Sequence, residues 1–193
     1  METIRLLGIC GSPRRNGNSQ FLLEAALDAA REVSPDTVNA ELFSIAGKTY
    51  KPCDGCDQCH QRLGYCKTIN DDFAELRDKW IAADAIIYSV PIYHLGIPGQ
   101  LKSFIDSLGN SVVEGFNSRL LKVIAVLTQG SGMSTGQEHV MHFVNGHATM
   151  QGCIPVGGAW PGGYLGVGTW TRANEDLDAL RKYRPSPSLV DRS

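Results

Sequence analysis

The sequence has no excess of positive charge. Eighteen Lys and Arg stand against 20 Asp and Glu, a formal charge of −2. No basic field awaits a phosphate backbone, so nucleic acid is not an expected ligand. A long apolar run is missing too. The chain opens Met-Glu-Thr-Ile-Arg, with an acidic second residue and nothing that reads as a signal peptide, which points to a reducing cytoplasm. Charge of either sign is scarce in one half. The 49 residues from Val123 to Thr171 hold one charged side chain, Glu138, where the chain average would place about ten. That half is expected to be largely buried, or to meet a ligand or another subunit. It is not expected to span a membrane: seven Gly and two Pro between Gly152 and Gly168 interrupt any helix before about 20 apolar residues accumulate.

Cysteine is present beyond any need for folding. A chain of 193 residues buries about 70% of the surface that its unfolded form exposes, and requires no covalent staple. Yet six cysteines occur, and Cys53, Cys56, Cys59 and Cys66 fall within fourteen consecutive residues. A disulfide framework belongs to short exported chains and does not suit this one.

Apolar periodicity alternates between strand and helix. Ile4 to Cys10 reads as a central strand buried on both faces. A helix follows, capped by Asn18 or Ser19, with Phe21, Leu22, Ala25, Ala26 and Ala29 at helical spacing. Further strands are expected at Val38 to Ile45, Ala85 to Val90, Leu121 to Thr128 and Gly152 to Gly158. Helices are expected from Asp71, from Pro98 and Gly99, over Thr135 to Met150, and over Asp176 to Tyr183. The resulting βαβ units predict one α/β domain over 1–184 with a doubly wound parallel sheet of five strands, then a disordered tail over 185–193.

Between the first strand and first helix lies Gly11-Ser12-Pro13-Arg14-Arg15-Asn16-Gly17-Asn18-Ser19. Backbone N–H groups and the helix dipole favour an anion there, and hydroxyl, amide and guanidinium groups are at hand to bind it. Walker A is ruled out, since five residues rather than four separate Gly11 from Gly17 and Asn18 stands in place of the lysine. The dinucleotide fingerprint is absent. A phosphatase C-x5-R loop fails because Arg15 comes one residue too early. A terminal monophosphate fits the loop best.

The cysteines follow the pattern C-x2-C-x2-C-x6-C. Zinc ribbons usually separate two C-x2-C knuckles by about 12 residues or more. Successive x2 intervals instead resemble the short loops that grip a [4Fe–4S] cube. The x6 arm, with Gly64 for a turn and Lys67 rather than Pro after Cys66, lets the fourth thiolate return to the same cluster. The 24-residue connection from 47 to 70 is long for an ordered loop and calls for a staple. Zinc, or thiols that hold no centre, remain alternatives.

The anion loop, together with Ser89-Val90-Pro91-Ile92-Tyr93 and Pro98-Gly99-Gln100-Leu101-Lys102-x-Phe104-Ile105-Asp106, resembles the NADPH-dependent FMN reductase branch of the flavodoxin-like proteins. With the cysteines added, the chain resembles the iron-sulfur flavoproteins. That resemblance implies a flavodoxin-like sheet with the cysteine-rich loop, 47–70, inserted after strand 2. It implies FMN and a [4Fe–4S] cluster as cofactors, with Ser12, Arg14, Asn18 and Ser19 as ligands of the FMN phosphate. Pro91, Ile92, Tyr93 and His94 would lie along one side of the isoalloxazine, and Gln129 and Gly130, after the fourth strand, along the other. Cys53, Cys56, Cys59 and Cys66 would hold the cluster. Dimers or tetramers would set one subunit's cluster near another's flavin.

The expected function follows from the two cofactors. A flavin takes a hydride and can return electrons singly, whereas a cluster moves one at a time. The pair suits electron transfer between a small molecule at the flavin and a one-electron carrier such as ferredoxin. Some proteins that this one resembles act as dehydrogenases of cyclohexadienyl acids related to aminodeoxyisochorismate. An NAD(P)H-dependent flavin or quinone reductase without a cluster is an alternative, as is a redox or metal sensor without turnover. Tyr93 and His94 are candidates for placing a substrate or donating a proton. His139, His142 and His147 lack enough carboxylate partners for a metal site. Cys10 and Cys153 are expected to be buried small hydrophobes. The glycine- and aromatic-rich stretch from Trp160 to Trp170 is expected to form a lid or a subunit contact.

Overall fold

A computed structural model describes residues 3–62, 66, 71–111, 121–132, 134–158 and 165–170. Its elements in chain order are β1 (Ile4–Cys10), α1 (Asn18–Val33), β2 (Val38–Ser44), α2 (Gln58–Gln61), α3 (Asp71–Ala82) and β3 (Ala85–Pro91). These are followed by α4 (Gly99–Ser111), β4 (Val123–Gly130), α5 (Gln137–Met150), β5 (Ile154–Val156) and β6 (Val167–Trp170). The strands pair in parallel in the order β2-β1-β3-β4-β5, the five-stranded arrangement expected from the sequence.

A sixth strand lies in the glycine-rich stretch read as lid or interface. β5 pairs only with Val123 to Ala125, which leaves the rest of β4's edge unpaired. Val167 to Trp170 fills it, opposite Leu127 to Gly130. β4 itself starts two residues later than expected and includes Gln129 and Gly130 as its last residues. The helix expected over Asp176 to Tyr183 and the tail from Pro185 lie outside the described residues.

Both faces of the sheet carry apolar cores, as a parallel sheet requires. On one face Leu7, Ile9, Ile86, Tyr88, Ile124 and Val126 pack with Phe73, Leu76 and Trp80 of α3, Phe104 of α4 and Val144 of α5. Trp80 Nε1 donates to Tyr88 Oη at 2.8 Å, so both polar tips are satisfied inside this core. On the other face Leu6, Cys10 and Leu127 pack with Leu23 and Leu27 of α1.

α1 turns a different side inward from the one its spacing suggested. Leu23 and Leu27 are its buried apolar residues, with Leu22, Ala26 and Ala30 beside them. The helix is apolar around much of its circumference, and Gly8 decides the choice. A Cβ at Gly8 would stand 2.8 Å from Leu27 Cδ1 and 3.0 Å from Leu23 Cδ1, so the bare backbone of β1 admits those two side chains. The helix is also not capped by Asn18 or Ser19. Its N-cap is Gly17, with no side-chain cap hydrogen bond. The charge-poor half is only partly buried: Val123, Met150, Ile154, Val156, Val167 and Trp170 are exposed.

Candidate functional site

The anion loop leaves the carboxyl end of β1, where open parallel sheets bind ligands. Gly11 N donates to Ser89 O at 2.8 Å, and a Cβ on Gly11 would come within 2.7 Å of Leu101 Cδ2. The loop thus begins pressed against β3 and α4. Ser12 is buried, and its Oγ accepts from Arg14 N at 3.2 Å, which curls the chain back toward α1. Asn16 supplies the left-handed turn at φ 52°. Ser19 is buried, its carbonyl accepting a 2.7 Å hydrogen bond from Ser89 Oγ. No acidic side chain occupies α1's first turn. A buried hydroxyl loop at the positive end of a 16-residue helix without an acidic neighbour suits a phosphate.

Cys10, at the foot of this loop, is fully buried, and burial pushes its thiol pKa up. It is not a ready thiolate, which agrees with the failed phosphatase spacing.

The ends of β3 and β4 form the next part of the rim. Ile92 N donates to Gln129 O at 2.9 Å, and Pro91 pairs in register with Gln129. The structure therefore holds Pro91 and Ile92 beside Gln129 at adjacent strand ends. Tyr93 and Gly96 then close a tight turn by exchanging two hydrogen bonds of 2.8 and 2.9 Å. Its central residues, His94 and Leu95, have φ of 48° and 67°. Neither is glycine, and left-handed backbone at such residues costs on the order of 1 kcal/mol each. Leu95 remains 62% exposed. Gly136, at φ +114°, holds the turn from the other side: its Cβ would lie 3.0 Å from Leu95 Cα. Gln137 completes the rim, Nε2 donating to Gly132 O at 2.6 Å and to Thr169 O at 3.3 Å. Sequence reasoning missed Leu95, Gly136 and Gln137, and only the glycine could have signalled itself.

The cysteine loop leaves the carboxyl end of β2, the neighbour of β1. Lys48 Nζ pairs with Glu75 at 2.7 Å and Asp72 at 3.4 Å, and Thr49 N donates to Asp72 at 2.8 Å, fastening the loop's root to α3. Tyr50 is buried edge-on against Phe104 at 5.6 Å, and burial, followed by the nearby Asp72 and Glu75, raises its pKa. Arg15 reaches over from the anion loop. Its Nη2 would stand 2.9 Å from a Cβ at Gly47, whose φ is +80°. The sequence reading singled out Arg14, yet Arg15 is the one that links the two loops.

Cys53 is exposed, Cys56, Cys59 and Cys66 are half-buried, and none of the six cysteines is in a disulfide. Gly55 and Asp57 adopt left-handed backbone, at φ 67° and 58°, around Cys56. Among the described residues no three metal-ligating side chains converge, so the four cysteines share a loop without forming a closed site. As a donor set, four thiols on a loop with two left-handed turns suit an iron-sulfur centre in kind. Cys10 and Cys153 are buried, as expected. His147 is buried between α4 and α5, away from this edge, and burial pushes its pKa down to about 4.

Residues 4–164 match the family described as NADPH-dependent FMN reductase. An iron-sulfur flavoprotein of Methanosarcina thermophila is 33% identical over 180 residues, covering 92% of this chain and 88% of its own. The chain belongs to the iron-sulfur flavoproteins. Another relative of that description, from Methanocaldococcus jannaschii, is 33% identical over 84% of this chain and 81% of its own. Among solved structures, an NADH:FMN oxidoreductase superposes with a TM-score of 0.57 at 19% identity, covering 93% of this chain and 84% of its own. The Trp repressor binding protein of Bacillus subtilis gives 0.59 at 19% identity over 92% and 93%. These superpositions show the flavodoxin-like fold. The chain is accordingly an FMN-dependent oxidoreductase. No helix among the described residues is long and apolar enough to cross a membrane.

Proposed function

We propose that this iron-sulfur flavoprotein moves electrons between a small molecule at the flavin and a one-electron carrier such as ferredoxin, through a [4Fe–4S] cluster. The observation that carries the reading is the junction of the two loops at one sheet edge, where Arg15 of the anion loop lies over Gly47 at the root of the cysteine loop. Ser12, Arg14, Asn18 and Ser19 would hold the FMN phosphate. Pro91, Ile92, Tyr93, His94, Gln129 and Gly130 would flank the ring. The flavin, when bound, supplies a site that accepts two electrons and releases them singly. Cys53, Cys56, Cys59 and Cys66 would hold the cluster, which passes one electron at a time.

The chain's own residues do the positioning. Helix α1 would offset the phosphate's charge with its positive end, and the turn closed by Tyr93 and Gly96 would support the ring's edge. Tyr93 and His94 stand in that turn as candidates to orient a substrate or move a proton. Assembly into dimers or tetramers would bring one subunit's cluster close to another's flavin.

The test is the Cys59→Ser variant, purified anaerobically. It should lose its iron and acid-labile sulfide while keeping FMN. Retention of the full iron complement would overturn the cluster assignment, and zinc without sulfide in the wild type would replace the cluster with a structural metal. In that event the chain would reduce to a flavin reductase that uses its cysteines otherwise.

A further inference from the structure

One side chain reaches from the anion loop to the root of the cysteine loop. Arg15 stands between Arg14 and Asn16, whose φ of 52° turns the anion loop toward α1. Its guanidinium covers Gly47. A Cβ there would stand 2.9 Å from Nη2 and 3.7 Å from Cζ and Nε, so the whole group, and not its tip alone, lies against the glycine. Gly47 is the third residue of a tight turn that Lys48 N closes by donating to Ile45 O at 3.0 Å, and its φ of +80° is a value that such a turn favours in glycine. The missing side chain thus serves the turn and leaves room for Arg15.

This turn is fastened on both sides. Before it, Ile45 N donates to Cys10 O at 3.1 Å, at the foot of the anion loop. After it, Lys48 pairs with Glu75 and Asp72, Thr49 N donates to Asp72, and Cys53 follows shortly. A shift of the anion loop is therefore passed on to the segment that leads into the cysteines.

Arg15 is exposed and, among the described residues, makes no ion pair. The acids at the loop's root, Asp72 and Glu75, are engaged by Lys48. Both cofactors proposed for these loops are anionic, the FMN by its phosphate and the cluster by its four thiolates. Two anions at neighbouring strand ends repel each other, and a cation between them offsets that repulsion. Other cations occur in both loops, Arg14 in one and Lys51, Arg62 and Lys67 in the other. The contact from loop to loop is Arg15's.

We propose that Arg15 is a positioning residue that couples the two cofactor sites, so that FMN and the cluster each bind more tightly when the other is in place. The proposal rests on the FMN and [4Fe–4S] reading given above. By linkage the factor is the same in both directions. About tenfold is expected, toward the low end of such couplings because the guanidinium is solvated. A factor of that size still lets a cluster-free chain bind FMN.

The test is anaerobic equilibrium dialysis with FMN, comparing the full chain loaded with iron and sulfide and the same chain stripped of iron by a chelator. Wild type should bind FMN about tenfold more tightly when loaded. Arg15→Gln and Gly47→Asn should each bring that ratio to about one. Asparagine tolerates left-handed backbone, so Gly47→Asn keeps the turn while its Cβ displaces the guanidinium. Arg15→Lys keeps the charge and should hold part of the ratio. In the other direction, bound FMN should slow the loss of iron to the chelator in wild type and have no such effect in Arg15→Gln. A ratio of about one in wild type, or a ratio that survives both Arg15→Gln and Gly47→Asn, would overturn the proposal and leave both cofactors assigned. FMN binding weakened equally in the loaded and stripped forms of Arg15→Gln, with the ratio unchanged, would overturn it too and make Arg15 a phosphate ligand alone. Arg15 is on the surface, so Arg15→Gln should melt with wild type and decides the outcome should Gly47→Asn fail to fold. Failure of wild type to hold FMN, or to take up iron and sulfide, is read beforehand from flavin absorbance and iron counts. Either failure would overturn the cofactor reading beneath the proposal, and the proposal with it.

Discussion

Burial sets the protonation of His147. The imidazole is 6% exposed, and its Nε2 has no hydrogen-bond partner. Its pKa falls to about 4, chiefly through desolvation, with Asp106 pulling it up and Lys102 pushing it down. An unfolded histidine titrates near 6.5, so the unfolded chain binds the extra proton first as pH drops. This contribution to stability is complete above pH 6.5 and is lost as pH falls toward 4, by on the order of 3 kcal/mol in all. His147→Gln should remove that part of the slope, which urea unfolding of both proteins at a series of pH values will measure. Gly136 provides a second test. Alanine there would sit in left-handed backbone and press on Leu95 Cα and its carbonyl at 3.0 and 3.1 Å. Gly136→Ala should cost about 1–3 kcal/mol in the same assay.

Among the elements, α3 and β4 are joined by an unusual residue. Lys122 is buried, its Nζ donating to the carbonyls of Ile81, at 2.7 Å, and Ala83, with the ammonium over the Trp80 ring at 5.3 Å. It serves as a cap for the end of α3, satisfying carbonyls that the helix leaves unpaired. Lys122→Met would strip both of a donor and should destabilise the fold by about 1–3 kcal/mol. Because Lys122 precedes β4, at the opposite edge from the anion loop, FMN content should not change. The main strands were legible because β1 and β3 lie inside a parallel sheet and read as apolar runs. β6 was not: four residues containing a glycine carry no periodicity, and their pairing depends on how little of β4's edge β5 covers. The inward side of α1 was illegible for a related reason, being decided by the gap at Gly8 on another element. Of the site, the anion loop and the cysteines announce themselves by residue type and spacing. The turn at His94 and Leu95 does not, since neither residue signals left-handed backbone.

Across the whole molecule, the candidate functional residues gather at one edge. The anion loop after β1, the cysteine loop after β2, the tight turn after β3, and the ends of β4 and β6 all lie at the carboxyl ends of parallel strands. The opposite edge holds the Lys122 cap. Apolar side chains left exposed on β4, β5 and β6, namely Val123, Ile154, Val156 and Val167, show that the charge-poor half is not simply interior. The central claim is that both cofactors reside in one chain. Anaerobic purification followed by counts of iron, acid-labile sulfide and FMN tests it most directly. About four irons, four sulfides and one FMN per chain are predicted; one FMN with neither iron nor sulfide after anaerobic reconstitution would contradict the account.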